Sequence, residues 1–578
     1  MLVGQVFEAH QLPAALGKVI VADRPDLGDV QCNGALQAAK LAGKPPRAIA
    51  EMIAADLKEK AGDIFADISI AGPGFLNFKL KPEYLEKYLV AQSKDKKFGF
   101  EITKKEKIVI DYCGANIAKA LHVGHMRPTI IGDAIKRIYR FAGHDMIGDV
   151  HLGDWGLPMG IVINEVQREQ PDLPYFKEGF TGPFPSEAPF SIADLARLYP
   201  EGSARTKDNE EERQKVRIIT AKLQDGHPGY TALWKHIVAV SLIDIRQKTD
   251  ALDVHFELWY GESDAHPFIA PMLEDLKKRN LAVMDDGALI MRVVQDDDKK
   301  EMPPIILVKR DGGVTYGTTD LATIIQRQKD FKPDQIIYVF DQRQELHITQ
   351  VFRAARLADY APQAKLHFAG FGTMNGKDGK PFKTRDGGIP TLQEFMDMMV
   401  EKASERLRDI ELDKKLDRAE FTELAKRVGY GAMKFGDLMN APRSDYIFDV
   451  DKFVSFEGKT GPYIQYTNVR LNALLAKAAE QNIQPGNFIV DASQHEITLL
   501  LLQFPDVVEN ALADYAPNIL CDYLFRLAQL VNRFYQNVPI LIEADTQKRA
   551  AALAIMSLSA RILTQGLDLL GIKIPNQM

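Results

Sequence analysis

The alternation of apolar and polar positions divides the chain into three regimes. Up to about residue 100, helical periods (35–41, 46–61) mix with strand-like runs (64–70, 74–80), and Gly72-Pro73-Gly74 makes a turn between the strands. From 101 to 400, apolar runs precede amphipathic stretches. The run 107–112 (KIVIDY) is short, apolar and rich in β-branched residues, as a strand covered on both faces is. A polar loop from Cys113 to Lys119 follows. Ile130, Ile131, Ala134, Ile135, Ile138, Tyr139 and Ala142 then recur at helical spacing until Gly143. The run 336–340 predicts a second such strand, with a polar loop at 341–347 and a further helix. Between the two units, 166–226 reads as irregular and polar, 230–252 as a helix, and 289–294 and 305–309 as strands. Beyond about 395 only helical periods remain, at 391–410, 417–437, 457–481, 494–514, 517–537 and 546–570. No apolar run reads as long enough to span a membrane.

This pattern predicts a multidomain fold, α/β plus all-α. A small N-terminal α/β domain (1–100) precedes a Rossmann-type domain split into halves at 101–165 and 286–400 around an inserted segment, 166–285. A helical stem (401–455) and a C-terminal helical bundle (456–578) follow. Two polar loops at the carboxyl ends of parallel strands, facing each other, are what a split mononucleotide fold requires.

Composition adds limits. The 72 basic and 79 acidic side chains give a formal net charge of -7, so any surface for nucleic acid must be local. Cys32, Cys113 and Cys521 are far apart and make neither a disulfide framework nor a zinc spacing. With no basic-then-apolar leader, the chain reads as cytosolic.

The candidate chemistry lies at the first loop. His122-Val123-Gly124-His125 places two imidazoles at the start of a helix, where free N–H groups and the helix dipole favour phosphate. Gly124 leaves room for adenine or ribose against the backbone. A zinc site or core histidines are the plain alternatives, and zinc lacks a third ligand at helical offset. Nucleotidyl transfer fits better: a carboxylate attacks the α-phosphate of ATP, and His122, His125 and a lysine stabilise the charge that builds there. The stretch 374–388 alternates lysine and glycine and could neutralise phosphate, though an exposed hairpin would look the same. Asp320, with Thr318 and Thr319, reads on its own as a helix cap for 321–328. Phe75, Asn77 and Phe78 could stack on an unpaired base, and the plain reading for the two rings is hydrophobic core. From Cys521 onward there is a slight basic excess on helices.

His122-Val123-Gly124-His125 resembles the HIGH signature of class I aminoacyl-tRNA synthetases. The longer string from Asn116 to His125, with 130–133 and Gly153-Asp154-Trp155-Gly156, is similar to the arginyl-tRNA synthetases in particular. The likeness extends through 376–385, 445–449, 457–466, 532–535 and 566–572. It implies ATP as substrate with Mg²⁺ on the phosphates, not on protein side chains, and L-arginine and tRNA(Arg) as partners, in a monomer without a membrane. It implies that Lys119, His122, Gly124, His125 and His347 meet ATP. Asp320 with Tyr316, and then Asp111, would take the guanidinium, whose planar fork asks for carboxylates. Asn116 and Gln344 would hold the amino acid's ammonium and carboxylate. No KMSKS string is present; 376–385 stands in its place, with Lys380 or Lys383 facing pyrophosphate. The N-terminal domain (Phe75, Asn77) would touch the tRNA elbow. The C-terminal bundle would read the anticodon loop through Tyr463, Gln465, Tyr466, Arg470, Arg526 and Arg533. The family's habit of activating arginine only with tRNA bound is implied too.

Two other readings stay open. One is an adenylating relative with another substrate, which would want a cation where Asp320 and Asp111 stand. The other is a non-catalytic RNA binder, which would have no use for intact His122, His125, Lys119 and Asp320.

Overall fold

Ile108, Val109 and Ile110 have no exposed surface, and their strand, Lys107–Asp111, runs through the interior of a four-stranded parallel sheet. The order is Lys365–Phe368, Gln335–Tyr338, Lys107–Asp111, Asp145–Asp149. Tyr338 lies level with Asp111, and Asp111 with Asp149, so three strand ends meet at one edge. In this computed structural model, residues 2–22, 24–382 and 389–578 are described. Lys383, Thr384 and Arg385 lie outside them.

The sheet belongs to a unit made of Ile102–Val469, Val508–Phe525 and Gln565–Met578. After the first strand a short 3-10 turn, Val123–His125, leads into the helix Met126–Ala142. Gly143 ends that helix at φ 117, where its N–H reaches Tyr139 and Arg140 carbonyls. The helix Tyr316–Phe331 starts a full turn earlier than its apolar period suggests. Thr315 takes the cap position, and Asp320 sits inside the helix. Ala282–Asp285, Ala288–Met291 and Ile305–Val308 form an antiparallel sheet whose first strand the pattern did not disclose.

The expectation of irregular chain over 166–226 is overturned. Ile192–Asp208 and Glu210–Gln224 are helices packed on Leu157–Glu169. Ser191 and Asp194 close a reciprocal capping box, and Asn209 accepts from the Glu211 and Glu212 N–H groups. Leu195, Leu198, Val216 and Leu223 are buried while the charges pair along the surface, as Arg197 does with Glu201.

The second unit comprises Met1–Glu101, Arg470–Val507 and Arg526–Thr564. Its antiparallel sheet has the order Val19–Val21, Val30–Cys32, Phe75–Leu80, Phe65–Ala71. Phe7, Ile49, Ile53, Leu57, Leu76 and Phe78 form its core. The helix Pro82–Lys94 packs on His495–Leu502, where Gln92 Nε2 donates to the Leu501 carbonyl at 2.7 Å.

Among the described residues one helix, Thr546–Leu569, is long and apolar enough to cross a membrane, against the reading that none is, and 72% of its most apolar stretch is buried inside the protein. Burial of that extent is what a core helix shows.

Candidate active site

The first loop is built on unusual backbone. Cys113 (φ 79) and Ala118 (φ 61) take left-handed conformations, as does His151 (φ 41) after the neighbouring strand. Each costs of order 1–3 kcal/mol, and such residues concentrate at functional sites. The loops hold each other: Ile117 N–H donates to Gly153 O and Gly153 N–H to Ala115 O, both at 3.0 Å. Asn116 lies over Gly153, where a Cβ would fall 2.5 Å from its Oδ1.

The two imidazoles follow, with ring centres 4.0 Å apart. His122 Nδ1 accepts from Gly124 N–H at 3.0 Å, and His125 Nδ1 accepts from His122 N–H at 3.1 Å. With both Nδ1 atoms filled, each neutral ring carries its proton on Nε2 and is a donor there. Burial, then His122, pushes the His125 imidazole down to about 3, and burial, then Lys119, lowers that of His122. Gly124 has a reason beyond nucleotide approach: a Cβ there would lie 2.7 Å from His122 Cε1.

A cleft of about 440 Å³ opens on this turn. Its lining includes His122, Gly124, His125 and, from the second loop, Arg343 and Gln344. Phe382 and Ile389, on either side of 383–388, line it too. Val123 N–H donates to Pro390 O (3.0 Å) and Leu392 N–H to Leu121 O (2.7 Å), which ties the histidine turn to the chain just past the lysine stretch. Lys380 is exposed at the end of a tight turn in which Gly376 N–H donates to its carbonyl at 2.7 Å.

A second group of side chains is acidic. Asp320 and Tyr316 share the first turns of one helix, and Tyr316 is exposed. Glu262, which the sequence reading did not single out, starts the helix Glu262–Lys278. Burial, with Asp154 and Asp320 nearby, raises its carboxyl to about 7. Its one sequence signal was a position just after a Gly, at the mouth of a helix. Tyr316 lies in the field of Glu262, Tyr199 and Asp320, and Lys119 Nζ sits 4.3 Å over the Tyr199 ring.

Several expected residues are placed differently. His347, expected near nucleotide, has its Nε2 2.5 Å from Asp320 Oδ2. Asp111 is buried, and Arg327 Nη2 holds its Oδ2 at 2.7 Å together with Asp149 Oδ2 at 2.7 Å. It is therefore no open carboxylate, although its Oδ1 has no partner. Asn77 is buried in its sheet, with Nδ2 on the Phe75 carbonyl, and so presents no amide to a base; Phe75 is half-buried. Gln465 has no exposed surface, and its Nε2 bonds the carbonyls of Arg427 (3.1 Å) and Lys573 (2.7 Å), so it ties helices together instead of facing a partner. Tyr466 is exposed, and Tyr463 packs on Phe525. Arg470 lies 3.9 Å over the Tyr535 ring; Arg526 is exposed, as is Arg533, which pairs with Glu496. Among the described residues no three or more His, Cys, Asp or Glu side chains gather as a metal cage.

Known proteins resemble this chain over its whole length. The family profile for "tRNA synthetases class I (R), catalytic domain" matches residues 87–450. The "DALR anticodon binding domain" matches 464–578, and the "Arginyl tRNA synthetase N terminal domain" matches 6–80. The arginine–tRNA ligase of Alkaliphilus oremlandii is 45% identical over 100% of this chain and 98% of its own length. That of Hyphomonas neptunium is 44% identical, over 100% and 98%. Arginyl-tRNA synthetase of Thermus thermophilus superposes with a TM-score of 0.80 at 23% identity, covering 100% of this chain and 98% of that one.

Proposed function

This chain belongs to the class I arginyl-tRNA synthetase family, and from that premise we propose which of its residues carry the family's reaction. It is a ligase: it activates L-arginine with ATP and transfers arginine to the 3′ end of tRNA(Arg), releasing AMP and pyrophosphate. The observation that carries the residue assignment is the pair of Nε2 donors fixed by main-chain bonds at the cleft.

In the first step an arginine carboxylate oxygen attacks the α-phosphorus of ATP, and the bond to pyrophosphate breaks. His122 and His125 donate from Nε2 to the phosphate oxygens as charge builds, without having to carry a proton to the site. Lys119 adds positive charge beside them. Mg²⁺ accompanies the phosphates. Lys380 and Lys383 serve the leaving pyrophosphate. Asp320, Glu262 and Tyr316 read the guanidinium, and Asn116 and Gln344 hold the ammonium and carboxylate. Two carboxylates facing a fork of donors reject lysine, whose single ammonium would leave acceptors unpaired.

The segment 1–100 contacts tRNA, and 456–578 reads the anticodon loop through Tyr463, Tyr466, Arg470, Arg526 and Arg533. The halves 101–165 and 286–400 carry the catalysis around the insertion 166–285, above the stem 401–455. The enzyme acts as a cytoplasmic monomer.

ATP–pyrophosphate exchange with each amino acid, with and without tRNA, tests this reading. Arginine-dependent exchange that needs tRNA is expected. Exchange with lysine or glutamate as good as with arginine would remove the Asp320 assignment.

A further inference from the structure

The Asp320–His347 contact sits where the substrate's charge must go. Asp320 Oδ2 is 2.5 Å from His347 Nε2, and both side chains are partly exposed, at 21% and 33%. They come from different elements: Asp320 from the helix Tyr316–Phe331, and His347 from the first turn of Glu345–Leu357. A guanidinium that grips a carboxylate in fork geometry needs both of its oxygens. Here one is already taken by a side chain that can itself be a cation. Resting on the assignment of Asp320 as a guanidinium acceptor, we propose that His347 is a specificity-determining residue: its imidazolium holds the place of the guanidinium at Asp320 before arginine binds, and arginine enters by exchange for its proton.

The charges around the pair favour this reading. The bond to Asp320 raises the His347 pKa against the opposing effect of burial. On its own helix Glu345 is engaged by Arg443 at 3.1 Å. Across from it stand Asp320 and, behind Asp320, Tyr316 and Glu262, with His151 and Asp154 acting on Glu262. Without the imidazolium, Asp320 would lose the cation that pairs with it while Glu262 stays nearby, a costly state for partly buried carboxylates. When arginine binds, its guanidinium takes Asp320 Oδ2. The imidazole then loses the partner that held its proton, and the proton passes to solvent. The exchange conserves charge. Between the ordinary imidazole pKa and the raised one, protons compete with arginine, so affinity improves as pH rises through that window, by up to tenfold per unit for this one group. Glu262, at about 7, must also be ionised to accept the guanidinium and adds a second proton in the same direction.

The test is calorimetric titration of the full chain with L-arginine at pH 6 in two buffers of different ionisation enthalpy. The native protein should release protons, and His347→Gln should release measurably fewer. That variant should also bind arginine roughly three- to tenfold more tightly at pH 6 and equal the native protein near pH 8.5. An unchanged proton count, or weaker binding at every pH, overturns the proposal and leaves His347 a packing residue. Asp320→Asn separates the two layers. If it binds arginine as well as the native protein, the Asp320 assignment itself fails. A readout without a variant guards against misfolding: one imidazole resonance should titrate with a raised midpoint in the empty protein and return towards about 6.5 with saturating arginine. If no resonance moves in this way, the proposal fails.

Discussion

A methyl group at residue 124 would strike the His122 ring, so the smallest substitution in the site is among the most informative. Gly124→Ala should fold, because that ring is exposed, but the displaced imidazole should lower the rate of arginine-dependent exchange by about 10²-fold with the arginine KM little changed. His125→Ala should cost about 10²–10³-fold in kcat, read in the same assay. The imidazoles also fix a pH response. Both pKa values are depressed, that of His125 to about 3, so the rings protonate only in more acidic solution. With arginine saturating, kcat for exchange should therefore show no step from these two groups between pH 6.5 and 8. A rate that falls as an imidazole of ordinary pKa protonates would show that the burial and neighbouring charge that depress these two rings do not persist in solution.

Among elements, the helix Tyr316–Phe331 does most to join fold and function. It carries Tyr316 and Asp320 at its start and, two turns on, Arg327, whose fully buried guanidinium spans Asp111 and Asp149 on two strands. Arg327→Met leaves two buried carboxylates unpaired and should destabilise the larger unit by about 3–5 kcal/mol, visible as a lower urea midpoint. The arginine KM should rise too, since the helix that presents Asp320 loses its anchor. This helix also marks where sequence reading stopped. Periodicity located its apolar core, and β-branched runs located the parallel strands, because both signals are local. The partner of Asp111 lies 216 residues away, and nothing local could supply it. Asn77 and Gln465 look like surface amides in the sequence, yet both are buried with their side-chain N–H groups on main-chain carbonyls. The helices after Ser191 and Asn209 were hidden because their charged faces outnumber the buried residues. Ser191→Ala should cost about 1 kcal/mol, detectable as faster amide exchange in the first turn of Ile192–Asp208.

At the scale of the whole molecule, the order of residues and the order of packing differ. The antiparallel sheet near the N-terminus has a core of its own, formed within residues 3–78. The helix Pro82–Lys94, by contrast, packs on chain more than four hundred residues later: Gln92 on Leu501, and Arg561 on the Ser93 carbonyl. Asp29 likewise meets His495, 466 residues on. On the ribosome, at about 5–20 residues per second, those partners emerge roughly 20 to 90 seconds after the residues that await them. During that interval the apolar side of the early helix has nothing to lie against, and a nascent chain in this condition is a natural client for a chaperone.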